Sequence, residues 1–106
     1  MIKARMYWSR MRIEISGHAG YEEKGRDIVC AGVSALAYAL AAALEEAKKR
    51  GRTAAEMKES EGEIQIWADP EMGSLNEIKA YFRMCVKGIR LMQEEYPKHV
   101  EIKEVL

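Results

Sequence analysis

The sequence predicts an α+β fold in which two helices pack on a mostly antiparallel sheet, in the order ββ-α-ββ-α-β. Three observations lead there. Apolar and polar residues alternate near the N-terminus and again in the middle of the chain, the period of half-buried strands. Two longer stretches carry apolar residues at three- and four-residue steps, the period of amphipathic helices. Gly and Pro punctuate the joins between them. The length of 106 residues suits one domain over 1–106, and 48% hydrophobic against 32% charged is a globular balance.

Ile2, Ala4, Met6 and Trp8 recur every second residue, as do Met11, Ile13 and Ile15, with Ser9-Arg10 between the runs. This reads as a β-hairpin with one buried face. Segment 17–25 (Gly-His-Ala-Gly-Tyr-Glu-Glu-Lys-Gly) is glycine-rich with a polar tip and reads as a mobile loop. Asp27 suits the N-cap of a first helix. Val29, Val33, Leu36, Leu40 and Leu44 form its apolar stripe, and Ala31, Ala35 and Ala42 lie on another side. A helix apolar on several sides is either central to the fold or partly in a subunit interface. Lys48, Lys49 and Arg50 suit its negative end, and Gly51 stops it.

Residues 53–59 and 63–68 flank Gly62 as a second hairpin, and Asp69-Pro70 is expected to break the chain. Ser74 and Glu77 have the spacing of a capping box that opens a second helix. Leu75, Ile78, Phe82, Cys85, Ile89 and Met92 form its core stripe. Tyr96-Pro97 ends it, and Val100 and Ile102 mark a last short strand. Trp8, Tyr38, Trp67 and Tyr81 read as packing residues at their periodic positions.

Composition narrows the functional classes. Lys plus Arg is 17 and Asp plus Glu is 17, so the basic excess of a dedicated nucleic-acid binder is absent. Cys30 and Cys85 are too few for a disulfide scaffold, and without a tight Cys/His cluster no metal is expected. The glycines around His18 match no nucleotide-binding fingerprint, so no cofactor is expected. The N-terminal run MIKARMYWSRMRIEI lacks a continuous apolar core of the export type. The most apolar stretch, 29–44, falls short of the ~20 residues that span a bilayer. The expectation is a cytoplasmic protein without a membrane segment.

Two residues stand out chemically. With Asp27 as N-cap, Cys30 occupies the third helical position, where unpaired amides and the helix dipole favour an anion. A thiolate there is the attacking species, and the same amides could hold an oxyanion. Asp27 opposes this with its own charge, and helix position alone leaves Cys30 equally readable as a small buried hydrophobe. Cys85 lies in a core stripe and reads as structural. His18 sits where the second strand ends, and the following loop is long enough to bring Cys30 beside it. A neutral imidazole there can take the thiol proton and return it to a leaving amine. His99 reads as a surface residue at a strand entrance. Ser34, one turn after Cys30 on the same helical face, suits a bond back to the Cys30 carbonyl, or instead the positioning of the thiolate or a substrate amide.

Gly17-His18-Ala19-Gly20-Tyr21, followed by Gly25-Arg26-Asp27-Ile28-Val29-Cys30-Ala31-Gly32-Val33-Ser34-Ala35-Leu36, strongly resembles the signature of the bacterial ribosomal-processing cysteine proteases (Prp). Lys87-Gly88-Ile89 and Tyr96-Pro97 also resemble that family's second helix and its end. The resemblance implies a cysteine endopeptidase that removes the short N-terminal extension of a large-subunit ribosomal protein, cutting beside aromatic residues. It implies a cytoplasmic homodimer. It places the nucleophile on Cys30 and the base on His18, with Gly20, Asp27 and Ser34 as supporting or substrate-binding positions. The loop 19–26 would cover the substrate cleft and order the dyad on closing. Gly32 departs from the more usual Ala, at roughly 1 kcal/mol of helix propensity, a cost compatible with close helix packing. Rival readings of the same residues are a non-catalytic ribosome-associated peptide-binding module and a redox sensor using Cys30.

Overall fold

A computed structural model describes residues 1–23 and 26–106; Lys24 and Gly25, part of the predicted loop, lie outside the described residues. The elements are β1 (Ile2–Tyr7), β2 (Arg12–Ser16), α1 (Ile28–Lys49), β3 (Thr53–Ser60), β4 (Glu63–Pro70), α2 (Leu75–Glu95) and β5 (Val100–Val105). The order ββ-α-ββ-α-β is the predicted one. The five strands form one sheet in the order β3-β4-β2-β1-β5. All neighbours are antiparallel except β1 and β5, which run parallel.

Alternation along the strands sends Ala4, Met6, Ile13, Ile15, Ile66, Val100 and Ile102 to one face of the sheet, where they are buried. The two helices cover that face with Val29, Val33, Leu40 and Leu44 from α1 and Ile78, Phe82, Cys85 and Ile89 from α2. Each fully buried Leu, Ile or Phe contributes about 1.5–3 kcal/mol relative to exposure. Leu36 faces α2 across Gly88, and a Cβ on Gly32 would sit 2.7 Å from the Met92 methyl carbon. The low-propensity glycine in α1 is therefore a point of close helix packing, as its sequence position suggests.

Several local expectations are corrected. Trp8 leaves the strand period: a 3₁₀ turn spans Trp8–Arg10, and Met11 adopts a left-handed backbone with φ of 47°. Its N–H donates to the Trp8 carbonyl at 3.2 Å, so the linker takes Trp8 to Met11 and β2 begins at Arg12. Asp69-Pro70 does not break β4. Pro70 is its last residue and pairs with Thr53, beyond the point where β2 stops at Arg12 opposite Trp67. A strand end tolerates the missing N–H. Ser74 makes no side-chain cap bond, so the capping box does not form. Glu77 is drawn instead to Arg50 at 2.8 Å and to the Tyr81 hydroxyl at 2.6 Å. Leu75, placed in the core stripe by its spacing, is 52% exposed. By length and mean hydropathy α1 could cross a membrane, contrary to the length argument from sequence. In this fold its inward stripe is core, while Ala31, Ala35 and Ala42 are exposed.

Candidate active site

The site forms where the end of β2, the start of α1 and the β3–β4 turn meet. Gly17 follows β2 with φ of +90°, and its N–H donates to the Gly62 carbonyl at 2.9 Å. A side chain there would collide with the Met1 carbonyl oxygen. Gly62, with φ of +73°, turns the β3–β4 hairpin beneath His18, and a Cβ on it would lie 3.3 Å from His18 Nε2. These two glycines set the height at which His18 leaves the sheet.

Asp27 caps α1 as predicted. One carboxylate oxygen, Oδ1, accepts from the amides of Val29 and Cys30, each at 3.0 Å, and Oδ2 accepts from the Tyr21 amide at 3.2 Å. Burial pushes its carboxyl pKa up. Hydrogen bonds from the backbone of Cys30, Tyr21 and Glu22 and from the Cys30 side chain outweigh that and hold it below the ordinary Asp range. This changes the expected electrostatics of the helix mouth. The Asp27 charge is shared among several donors, but the Val29 and Cys30 amides are already engaged. They are not open to an oxyanion while the carboxylate holds them. The amide aimed at the sulfur comes from another segment: Ala19 N–H donates to Cys30 Sγ at 3.3 Å.

Two adjoining hollows, of about 160 and 490 Å³, meet at His18, Cys30 and Ser34. The smaller continues past Tyr38 and Glu59, and the larger contains Gly20 and Asp27. Every predicted site residue therefore faces one continuous cleft. His18 and Cys30 share its walls without a hydrogen bond between them. Ser34 makes no bond to the Cys30 carbonyl and instead lines the cleft. No group of His, Cys, Asp and Glu able to hold a metal occurs among the described residues.

Sequence reasoning missed three contributors. Tyr38 is not a packing residue: it is 45% exposed, and its hydroxyl donates to Glu59 at 2.6 Å. Cys30, Ser34 and Tyr38 are spaced four apart, so their shared helical face was available as a signal. His99 is half-buried, and its Nδ1 lies 2.8 Å from the Ala19 carbonyl oxygen. Tyr21 packs edge-on against both Tyr96 and His99, with ring centroids 5.3 and 5.4 Å apart. Nothing in the sequence joins residue 19 to residue 99, because that contact depends on β5 lying parallel beside β1.

The family model described as cysteine protease Prp matches residues 1–101. The chain belongs to the Prp cysteine protease family. It is accordingly a cysteine protease. Among solved structures, the S. aureus essential ribosomal processing protease Prp with a covalently linked product peptide is similar in fold. It has a TM-score of 0.80 at 19% identity, over 98% of this chain and 99% of that one. The same S. aureus protease with a substrate peptide gives 0.72 at 18% identity, over 98% and 99%. SMU.848 from Streptococcus mutans gives 0.72 at 28% identity, over 99% and 94%. No curated protein matches the chain. Membership in the Prp family turns the cleft around Cys30 from one concavity among several into the candidate catalytic centre.

Proposed function

We propose that this Prp-family protease removes the short N-terminal extension of a large-subunit ribosomal protein, with Cys30 as nucleophile and His18 as general base and acid. The observation that carries the reading is the meeting of His18 and Cys30 in one open cleft of a cysteine-protease fold. The S. aureus Prp structures in complex with a substrate peptide and with a covalently linked product peptide support a peptide as the substrate.

In this reading the Cys30 thiol gives its proton to His18. The sulfur then attacks the scissile carbonyl carbon, and its π electrons move to oxygen. Collapse of the tetrahedral intermediate breaks the C–N bond, and His18 delivers the proton to the leaving amine. Water, deprotonated by His18, cleaves the thioester and releases the carboxylate product, restoring the thiol. The Ala19 amide, at 3.3 Å from Sγ, stabilises the thiolate stage. His18 and Cys30 tighten into contact when substrate fills the cleft, as catalytic hydrogen bonds commonly do.

The free state of Cys30 and Cys85 supports a reducing, cytoplasmic setting. Ala39, Ala43, Ala80 and Met84 line an apolar hollow on the outer surface of α1 and α2, which supports association of two copies through the helices. Light scattering of the purified chain should return twice the chain mass, and a monomer at micromolar concentration would remove that part of the proposal. The activity is tested by mass spectrometry of the ribosomal-protein extension peptide incubated with wild type and with Cys30→Ala. Cleavage by the first alone is expected. A chain that binds the peptide and never cuts it would instead be a binding module.

A further inference from the structure

We infer that His99 is a positioning residue for the Cys30 centre, acting through Ala19; the inference rests on the assignment of Cys30 as nucleophile. Ala19 is buried and gripped from both sides. Its N–H donates to Cys30 Sγ at 3.3 Å, and its carbonyl lies 2.8 Å from His99 Nδ1. A carbonyl only accepts, so Nδ1 must carry the proton. The two bonds involve the peptide units on either side of Ala19 and therefore restrain both its backbone torsions. They fix the amide that faces the sulfur and the residue that immediately follows His18.

The anchor is itself well held. The His99 N–H donates to the Tyr96 carbonyl, and its carbonyl accepts from the Ile2 amide at the start of β1, each at 2.9 Å. The turn after α2 is thus tied to the sheet before it reaches over to the cleft. The Tyr21 ring, edge-on to Tyr96 and His99, packs the far side of the same segment, and the Tyr21 amide is bound to Asp27. Residues from the turn between α2 and β5, remote in sequence from the signature around Cys30, complete the support of the thiol. His99 lines neither hollow and has its Nδ1 on the Ala19 carbonyl, so its role is to hold Ala19 rather than to transfer protons.

Two substitutions separate the hydrogen bond from the ring contact. His99→Phe keeps a flat ring beside Tyr21 and removes the donor. His99→Asn removes the ring and keeps an N–H near the position of Nδ1. The readout is the rate at which iodoacetamide alkylates Cys30 in the folded protein at neutral pH, followed by intact mass. One hydrogen bond of ordinary net strength corresponds to about a two- to tenfold change. His99→Phe should slow alkylation by that factor and lower peptide kcat/KM in parallel, while His99→Asn should restore most of both. Equal rates in wild type and His99→Phe, or loss in His99→Asn with retention in His99→Phe, would overturn the inference. The wild-type protein offers a check that needs no variant. Nitrogen-15 NMR should show neutral His99 protonated at Nδ1, and an Nε2–H tautomer would contradict the proposed bond. Should Cys30→Ala still cut peptide, the assignment of Cys30 as nucleophile would fall, while the alkylation rates and the tautomer would continue to report on the Ala19–His99 contact alone.

Discussion

The two helices each carry one free cysteine, and position gives the two thiols contrasting surroundings. Cys30 lies in the first turn of α1, half-buried, with a backbone amide on its sulfur and an open cleft beside it. Cys85 lies in the middle of α2 among Ile78, Phe82 and Ile89, and burial pushes its thiol pKa up to about 12. The helix starts differ as well. Asp27 caps α1 through two amides and ties the start of the helix to Tyr21, whereas Ser74 offers α2 no side-chain bond. In the proposed mechanism the same residue type is a reagent where the helix opens to solvent, and in α2 it is a small hydrophobe where it is packed.

The sharpest way to break this comparison is to exchange each cysteine. Cys30→Ala should abolish cleavage of the extension peptide. Cys85→Ala should leave kcat/KM within about twofold and lower unfolding stability by about 1 kcal/mol in urea titration. Retained cleavage in the first variant, or lost cleavage in a folded second one, would erase the distinction. His18→Ala comes next, with kcat/KM expected to fall about 10²–10⁴-fold while peptide binding persists.

The helix starts give smaller and separable effects. Asp27→Ala should cost about 0.5–2 kcal/mol of stability through loss of the cap. Because its folded pKa is lowered, the Asp27 carboxylate stabilises the fold fully above its ordinary value of 3.8. That contribution disappears as pH falls through the lowered folded value. Acid titration of unfolding should therefore show a shallower loss of stability in Asp27→Ala than in wild type, and parallel curves would refute the linkage. Ser74→Ala, which removes no observed side-chain cap bond, should lower stability by less than Asp27→Ala does.

The contrast also explains what the sequence made legible. Period-two and period-3.6 patterns identified four strands and both helices, because each pattern is the imprint of a sheet face or helix stripe turned inward, while β3 was placed as the first arm of the hairpin at Gly62. The Asp27 cap was legible because its bonds reach only two and three residues along the chain. The Ser74 box failed because Arg50 and Tyr81, brought to Glu77 by tertiary packing, offered stronger partners than the local amide. The same limit hid His99: its contact with Ala19 joins the turn before β5 to the segment after β2, which the parallel pairing of β5 with β1 brings together. Tyr38 was misplaced for a simpler reason. Its spacing belongs to the Cys30 face of α1, which looks into the cleft and not into the core.

The most direct test is rapid acid quenching of wild type mixed with the extension peptide, followed by intact mass and peptide mapping. A protease working through Cys30 should carry an acyl fragment of the peptide on that residue, with Cys85 unmodified. An acyl fragment mapped to any other side chain would contradict the account.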